Sequence, residues 1–187
     1  MHKMKRNIVL TGLPGSGKST LLKKLITESD YMSAGADNYY GFLTEEIKER
    51  GLRIGFKIYP GNQIIAHIAS NSKNRVSKYG VEVNTIDAVS ENFRKISQDA
   101  IPLKEKILFL DEIGQMQLMS DEFKKLVKKF LNQKNICIAT LSSVYNNRFT
   151  DAIRKRDDVM LIEVTPENRE ELSKTLPVEI KKLFKMH

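Results

Sequence analysis

The stretch Gly12-Leu13-Pro14-Gly15-Ser16-Gly17-Lys18-Ser19 constrains this chain more than any other. Gly, four free residues, Gly, Lys and Ser is the spacing of a phosphate-binding loop, and such a loop needs a strand before it and a helix after it. Asn7, Ile8, Val9 and Leu10 read as the short buried strand. Leu21, Leu22, Leu25 and Ile26 form one apolar helical face. The glycines let the backbone curl so that several N–H groups point at one phosphate, and the helix adds the positive end of its dipole. Lys18 is expected to reach the β- and γ-phosphates. Ser19 is expected to offer its hydroxyl to Mg²⁺, with Thr20 beside it on the same turn.

A chain of 187 residues fits one domain, and a single such core uses most of it, so residues 1–187 are expected to form one unit. The longest clean apolar runs have four residues, too few to span a bilayer or act as a signal peptide, which predicts a cytoplasmic protein. Cys137 is the lone cysteine, and its apolar neighbours mark it as a small core residue. His2, His67 and His187 stand singly, so Mg²⁺ is the one metal expected.

The net charge of +8 raises the question of a nucleic-acid partner, and its distribution answers it. Lys124, Lys125, Lys128 and Lys129 lie opposite Phe123, Leu126, Val127, Phe130 and Leu131 on one helical stretch, the pattern of a solvated face. No aromatic-interleaved basic groove accompanies them. A basic field around a site for a polyanionic nucleotide is the milder explanation, and a nucleic-acid role is not favoured. The sequence does not set the oligomeric state, and a monomer is favoured.

Three strand-like runs, 40–47, 52–59 and 63–69, are joined by connectors too short for parallel crossovers. They predict an antiparallel meander over about 39–69 that extends an otherwise α/β core. A polar loop is expected over 29–38, another over 71–79, a small edge strand at 81–83 and a helix over 87–98 with Val89, Phe93 and Ile96 inward. Pro102 ends that region. Ile107, Leu108, Phe109 and Leu110 then form a buried strand that finishes in Asp111-Glu112, followed by Ile113-Gly114. The helix 121–131 and a strand over 135–141 complete a right-handed parallel unit. A helix over 148–156, a core strand over 159–164 and a helix capped by Thr165-Pro166 follow, with Pro177 separating it from a terminal helix.

A carboxylate at the C-terminal end of a buried strand faces the metal beside a phosphate loop, so Asp111 is the expected Mg²⁺ ligand. Glu112 is then left to deprotonate the attacking water. Thr140, Ser142 and Ser143 are secondary candidates for holding that water. Arg53, Arg75, Arg148, Arg154, Arg156 and Arg169 are all available to offset transferred charge, and spacing does not choose among them.

The sequence resembles the thermophilic and cancer-related nucleoside-triphosphatases of the P-loop class. Beyond the loop, the matching pieces are Gly41-Phe42 with Thr44-Glu45-Glu46-Ile47, Arg53-Ile54-Gly55-Phe56, Lys78-Tyr79-Gly80-Val81, Asp111-Glu112-Ile113-Gly114, and Thr165 with Asn168-Arg169. The resemblance implies a three-layer P-loop fold of the RecA-like, additional-strand, catalytic-glutamate type. It also implies slow hydrolysis of ATP, GTP and the other nucleoside triphosphates with little base selectivity. The family's nucleotide-binding stretches carry over as Gly12 to Ser19 and Ile107 to Gly114. Two departures are Gln117, where the family usually has an acid, and Ser77, where it generally has glycine. Two rival readings use the same loop: a nucleotide or small-molecule kinase with an arginine-bearing lid, and a nucleic-acid-linked regulatory nucleotide switch.

Overall fold

The computed structural model describes residues 5–28, 39–99 and 106–185. A nine-stranded sheet runs through it in the order β5-β6-β4-β3-β2-β7-β8-β1-β9. The strands are β1 (Asn7–Gly12), β2 (Tyr39–Glu49), β3 (Leu52–Tyr59), β4 (Ile64–His67), β5 (Arg75–Val76), β6 (Tyr79–Val81), β7 (Ile107–Ile113), β8 (Cys137–Ser142) and β9 (Val159–Glu163). The helices are α1 (Lys18–Glu28), α2 (Val83–Asp99), α3 (Asp121–Asn132), α4 (Arg148–Arg154) and α5 (Arg169–Lys185).

From β2 to β9 every pairing is parallel, and β8 stands between the loop-bearing β1 and β7. That intervening strand is the additional strand implied by the resemblance. Successive residues on a buried strand face opposite sides, so Val9, Leu108 and Leu110 join a core covered by α2 and α3. Ile8, Leu10, Ile107 and Phe109 join a second core with Leu22 of α1 and Ile180 of α5. The sheet between two helical layers follows from strands that are apolar on both faces. Cys137 lies wholly inside, where burial pushes its thiol up to about 12.

The other half of the sheet is antiparallel, as the short connectors require. Arg50 and Gly51 both have positive φ, 48° and 79°, and such a two-residue turn matches the twist of a hairpin. Strand β2 belongs to both halves. It pairs β7 from Tyr39 to Phe42, then continues from Leu43 to Glu49 against β3. The β2–β3 hairpin therefore overhangs the carboxyl edge of the parallel sheet.

Several expectations need correction. Tyr79–Val81 is an interior strand between β4 and β5, and Val83 already belongs to α2, because Tyr79 and Val81 are the buried residues there. The loop expected over 71–79 contains β5. Strand β9 is at the sheet edge, with Leu161 and Glu163 exposed, and is not a fully buried core strand. Helix α5 runs through Pro177, since Leu176 and Ile180 on either side are buried against the α1 layer. Its regular part begins at Arg169, although Thr165 and Asn168 bond reciprocally, N to Oδ1 at 2.8 Å and N to Oγ1 at 3.3 Å, in the manner of a capping box. The loop expected over 29–38, the break at Pro102 and the side chain of Ile96 lie outside what is described.

Candidate functional site

The phosphate loop leaves β1 through Gly12, whose φ is +143° and whose missing Cβ would stand 2.3 Å from the Val164 carbonyl oxygen. No other residue fits that approach. The chain then enters α1 at Lys18, so the loop curls around a helix N-terminus. Lys18 is buried, and its Nζ donates to the carbonyls of Gly12 and Leu13 at 3.0 Å each.

On β7 the register against β8 shifts between Leu110 and Ile113, which leaves Asp111 and Glu112 opposite Thr140. Such a bulge re-aims side chains at a sheet edge. The peptide between the two acids is cis. Asp111 is 1% exposed, and one oxygen, Oδ1, accepts from Ser19 Oγ at 2.7 Å and from Thr140 Oγ1 at 2.5 Å. Burial pushes its carboxyl above the ordinary range, opposed by the hydroxyls of Thr140 and Ser19, the Thr44 backbone and the Lys18 charge. Glu112 is also raised, first by burial and then by the Asp111 charge, with Lys18 opposing.

The overhanging hairpin completes the surround. Thr44 Oγ1 donates to the Asp111 carbonyl at 2.6 Å and accepts from Gln117 Nε2 at 3.1 Å. Gln117, buried in a 3₁₀ turn (Gln117–Met119), thus braces the acid-bearing strand end through Thr44. An amide can donate that bond, whereas an ionised acid at the same position could not.

A cleft of about 590 Å³ runs over these groups. Gly12, Pro14, Gly15, Gly17, Lys18, Ser19 and Thr20 line it, with Asp111 and Glu112 across from them. Leu13 points outward, 67% exposed, and Ser16 is buried, and neither lines the cleft. Ile107, Leu108, Phe109, Leu110 and Ile113 lie in the two cores and support the acids from below. Gly114 packs beside Glu112, within 3.2 Å of its carboxylate measured from where a Cβ would stand. Of the secondary candidates, Thr140 is taken up by Asp111, Ser142 lines the cleft, and Ser143 does not. Thr44, Phe56, Met116, Gln117 and Tyr145 are cleft residues that sequence reasoning did not single out for the site.

Ser19 and Asp111 are the pair that can hold a hard divalent cation, because a hydroxyl and a carboxylate oxygen already meet there. Among the described residues no group of three or more His, Cys, Asp or Glu could hold a metal ion. A cation here would rest on few protein ligands, as Mg²⁺ beside phosphates does.

The NTPase family profile matches residues 7–176. This chain belongs to the NTPase family. Nucleoside-triphosphatase THEP1 of Thermotoga petrophila is 35% identical over 172 residues, 90% of this chain and 89% of that one. The crystal structure of THEP1 from Aquifex aeolicus superposes with a TM-score of 0.73 at 30% identity, covering 91% of this chain and 96% of that one. The solution structure of a human cancer-related nucleoside triphosphatase gives 0.74 at 26% identity, over 95% and 98%. Both neighbours share the fold built here from alternating strands and helices.

Proposed function

We propose that the chain is a Mg²⁺-dependent nucleoside-triphosphatase that hydrolyses ATP, GTP and other nucleoside triphosphates to diphosphate and phosphate, slowly and with little base selectivity. The observation that carries this reading is the meeting of Ser19 and Asp111 at 2.7 Å, 92 positions apart in the sequence, beside Lys18 and Glu112 in one cleft. The names of the relatives support it.

The loop N–H groups and Lys18 bind and orient the triphosphate, Lys18 exchanging its two carbonyl partners for the β- and γ-oxygens. Bound Mg²⁺ would neutralise charge on those oxygens. Ser19 and Asp111 would hold it, with Thr140 fixing the carboxylate's orientation. Glu112, beside Asp111 and accepting no hydroxyl among the described residues, takes a proton from the attacking water. Its raised affinity for protons suits a base that must accept one.

Weak base selectivity follows from a site that grips phosphates. ATP and GTP are expected to differ by less than about a hundredfold in affinity, roughly 2.7 kcal/mol. The kinase reading needs a lid of arginines over the phosphates. Arg154 instead donates to the Ser142 carbonyl and Asp151, and Arg156 forks onto Asp158. Water is therefore the proposed acceptor. A monomer in the cytoplasm, acting without nucleic acid, completes the proposal, and the described residues hold no helix long and apolar enough to cross a membrane.

The test is phosphate release from each nucleoside triphosphate, with and without Mg²⁺, DNA, RNA and candidate acceptors, using Lys18→Ala as the blank. Release that requires an acceptor or a nucleic acid overturns this reading.

A further inference from the structure

Phosphoryl transfer spreads negative charge over the equatorial oxygens of the transferred group, and a guanidinium supplied in cis or in trans offsets it. Of the six arginines weighed in the sequence, two line the cleft: Arg53 and Arg169. Arg154 and Arg156 are bound into the fold, Arg75 donates to the Ser70 and Lys78 carbonyls, and Arg148 does not reach the lining.

The two cleft arginines differ in where they stand. Arg169 lies over the loop itself, its Cδ 3.1 Å from where a Gly17 Cβ would be. Arg53 stands on the hairpin, beyond the acids. Thr44 touches the Asp111 carbonyl, and Glu46, two residues on, shares its face of β2, a step of about 7 Å. Arg53 Nη1 bonds Glu46 Oε1 at 2.7 Å, so the guanidinium is one such step past the acid-bearing strand end, in the cleft that Glu112 also lines. A γ-phosphoryl group attacked by water held at Glu112 would lie in that cleft, beyond the strand end and not over the loop.

We propose that Arg53 is the arginine that contacts the γ-phosphoryl group during hydrolysis, supplied in cis by the β2–β3 hairpin. This rests on the hydrolase reading above. The side chain is held in advance: Nε donates to Tyr79 Oη at 3.1 Å, and the guanidinium lies over the Phe56 ring at 5.2 Å. Phe56 and Tyr79 meet edge to face at 5.2 Å, which locks the platform. Among the described residues Nη2 makes no hydrogen bond, so one edge of the fork is left to donate. A donor fixed before the reaction costs no reorganisation when charge develops.

The experiment compares wild type with Arg53→Ala, Arg53→Lys, Tyr79→Phe and Arg169→Ala. It measures kcat and KM for ATP, ADP affinity, and capture of Mg-ADP–aluminium fluoride, which mimics the planar phosphoryl group. Arg53→Ala is expected to lose about 10²- to 10³-fold in kcat, with KM and ADP affinity within a few-fold, and to stop capturing the fluoride complex. Arg53→Lys keeps the charge without the fork and recovers part of the rate. Tyr79→Phe, which removes a positioning bond, lowers kcat by less than Arg53→Ala does, again at unchanged ADP affinity. Arg169→Ala is expected to act on KM. If Arg53→Ala no longer binds ADP, Arg53→Lys decides, by losing kcat at normal ADP affinity or keeping it. Wild-type turnover or wild-type fluoride capture in an Arg53 variant that binds ADP overturns the assignment, as does loss of capture confined to Arg169→Ala. A wild-type protein that releases no phosphate overturns the hydrolase reading instead, so the two failures are separable.

Discussion

The parallel and antiparallel halves of the sheet are built from similar numbers of strands yet use their residues differently. In the parallel half, β1, β7 and β8 are buried on both faces, and their side chains become available for chemistry where each strand ends. In the antiparallel half, β2 has no buried residue past Leu43, and β3 buries Gly55 and Ile58 while its other residues stay accessible in whole or part. A strand covered on both sides can place a polar group at its tip, whereas a half-covered strand offers every second residue to the cleft. The groups proposed to hold phosphate and metal therefore cluster on one half, and Thr44, Glu46, Arg53 and Phe56 line the cleft from the other.

If that division holds, the largest effects belong to the parallel half. Lys18→Ala removes the charge expected on the β- and γ-phosphates and should nearly abolish phosphate release while leaving the melting temperature close to wild type. Retained release in a phosphate assay would break the comparison at its strongest point.

Glu112→Gln should lower kcat by about 10² to 10⁴ while nucleotide affinity stays within a few-fold. Asp111→Asn should weaken Mg²⁺-dependent binding as well, which titration of nucleotide at varied Mg²⁺ would register. Equal behaviour of the two variants would mean that the adjacent acids share one task.

Stability should divide the same way. Leu108→Ala, at a fully buried position on β7, should cost about 2–5 kcal/mol in urea unfolding. Ile64→Ala, at a position 48% exposed on β4, should cost well under half of that. Comparable losses would show that the meander is as tightly packed as the parallel core.

The smallest effect is expected for the Lys23–Glu45 ion pair, 2.8 Å long, which joins α1 to the hairpin across accessible surface. Lys23→Ala should shift stability by roughly 0.2–1 kcal/mol, and added salt should erase the difference.

The sequence made the parallel half legible because its signals are local. The loop spacing, the run from Ile107 to Leu110 and the acids that end it occupy short contiguous stretches. The α3 face was equally plain, with Ser120 capping it by accepting from Phe123 N. What escaped depends on contacts between distant segments. Val159 to Val164 is apolar enough for a central strand, and its edge position comes from the order in which β1 takes its neighbours. Pro177 withholds a backbone N–H and costs about 3 kcal/mol in a helix interior. Burial of Leu176 and Ile180 offsets that locally, and no helix propensity scale carries this information. Thr44 and Gln117 became site residues through the overhang of β2 past β7, a matter of register. The resemblance flagged Gln117 as a departure, and its bond to Thr44 gives the amide a task.

The placement of β1 between β8 and β9 also sets an order of events during synthesis. The phosphate loop leaves the ribosome before both strands that flank β1, since Asn7 pairs with Cys137 on one side and Val159 on the other. The β2–β3 hairpin closes through a two-residue turn between segments adjacent in sequence, and such hairpins form within microseconds. The loop waits for β8 and β9, because contacts distant in sequence must meet the entropy of closing a long loop before they stabilise anything. A nascent chain halted before Val159 would carry the whole glycine-rich motif and still lack the strand on one flank of it. The flanks of the loop are thus completed by strands made long after it.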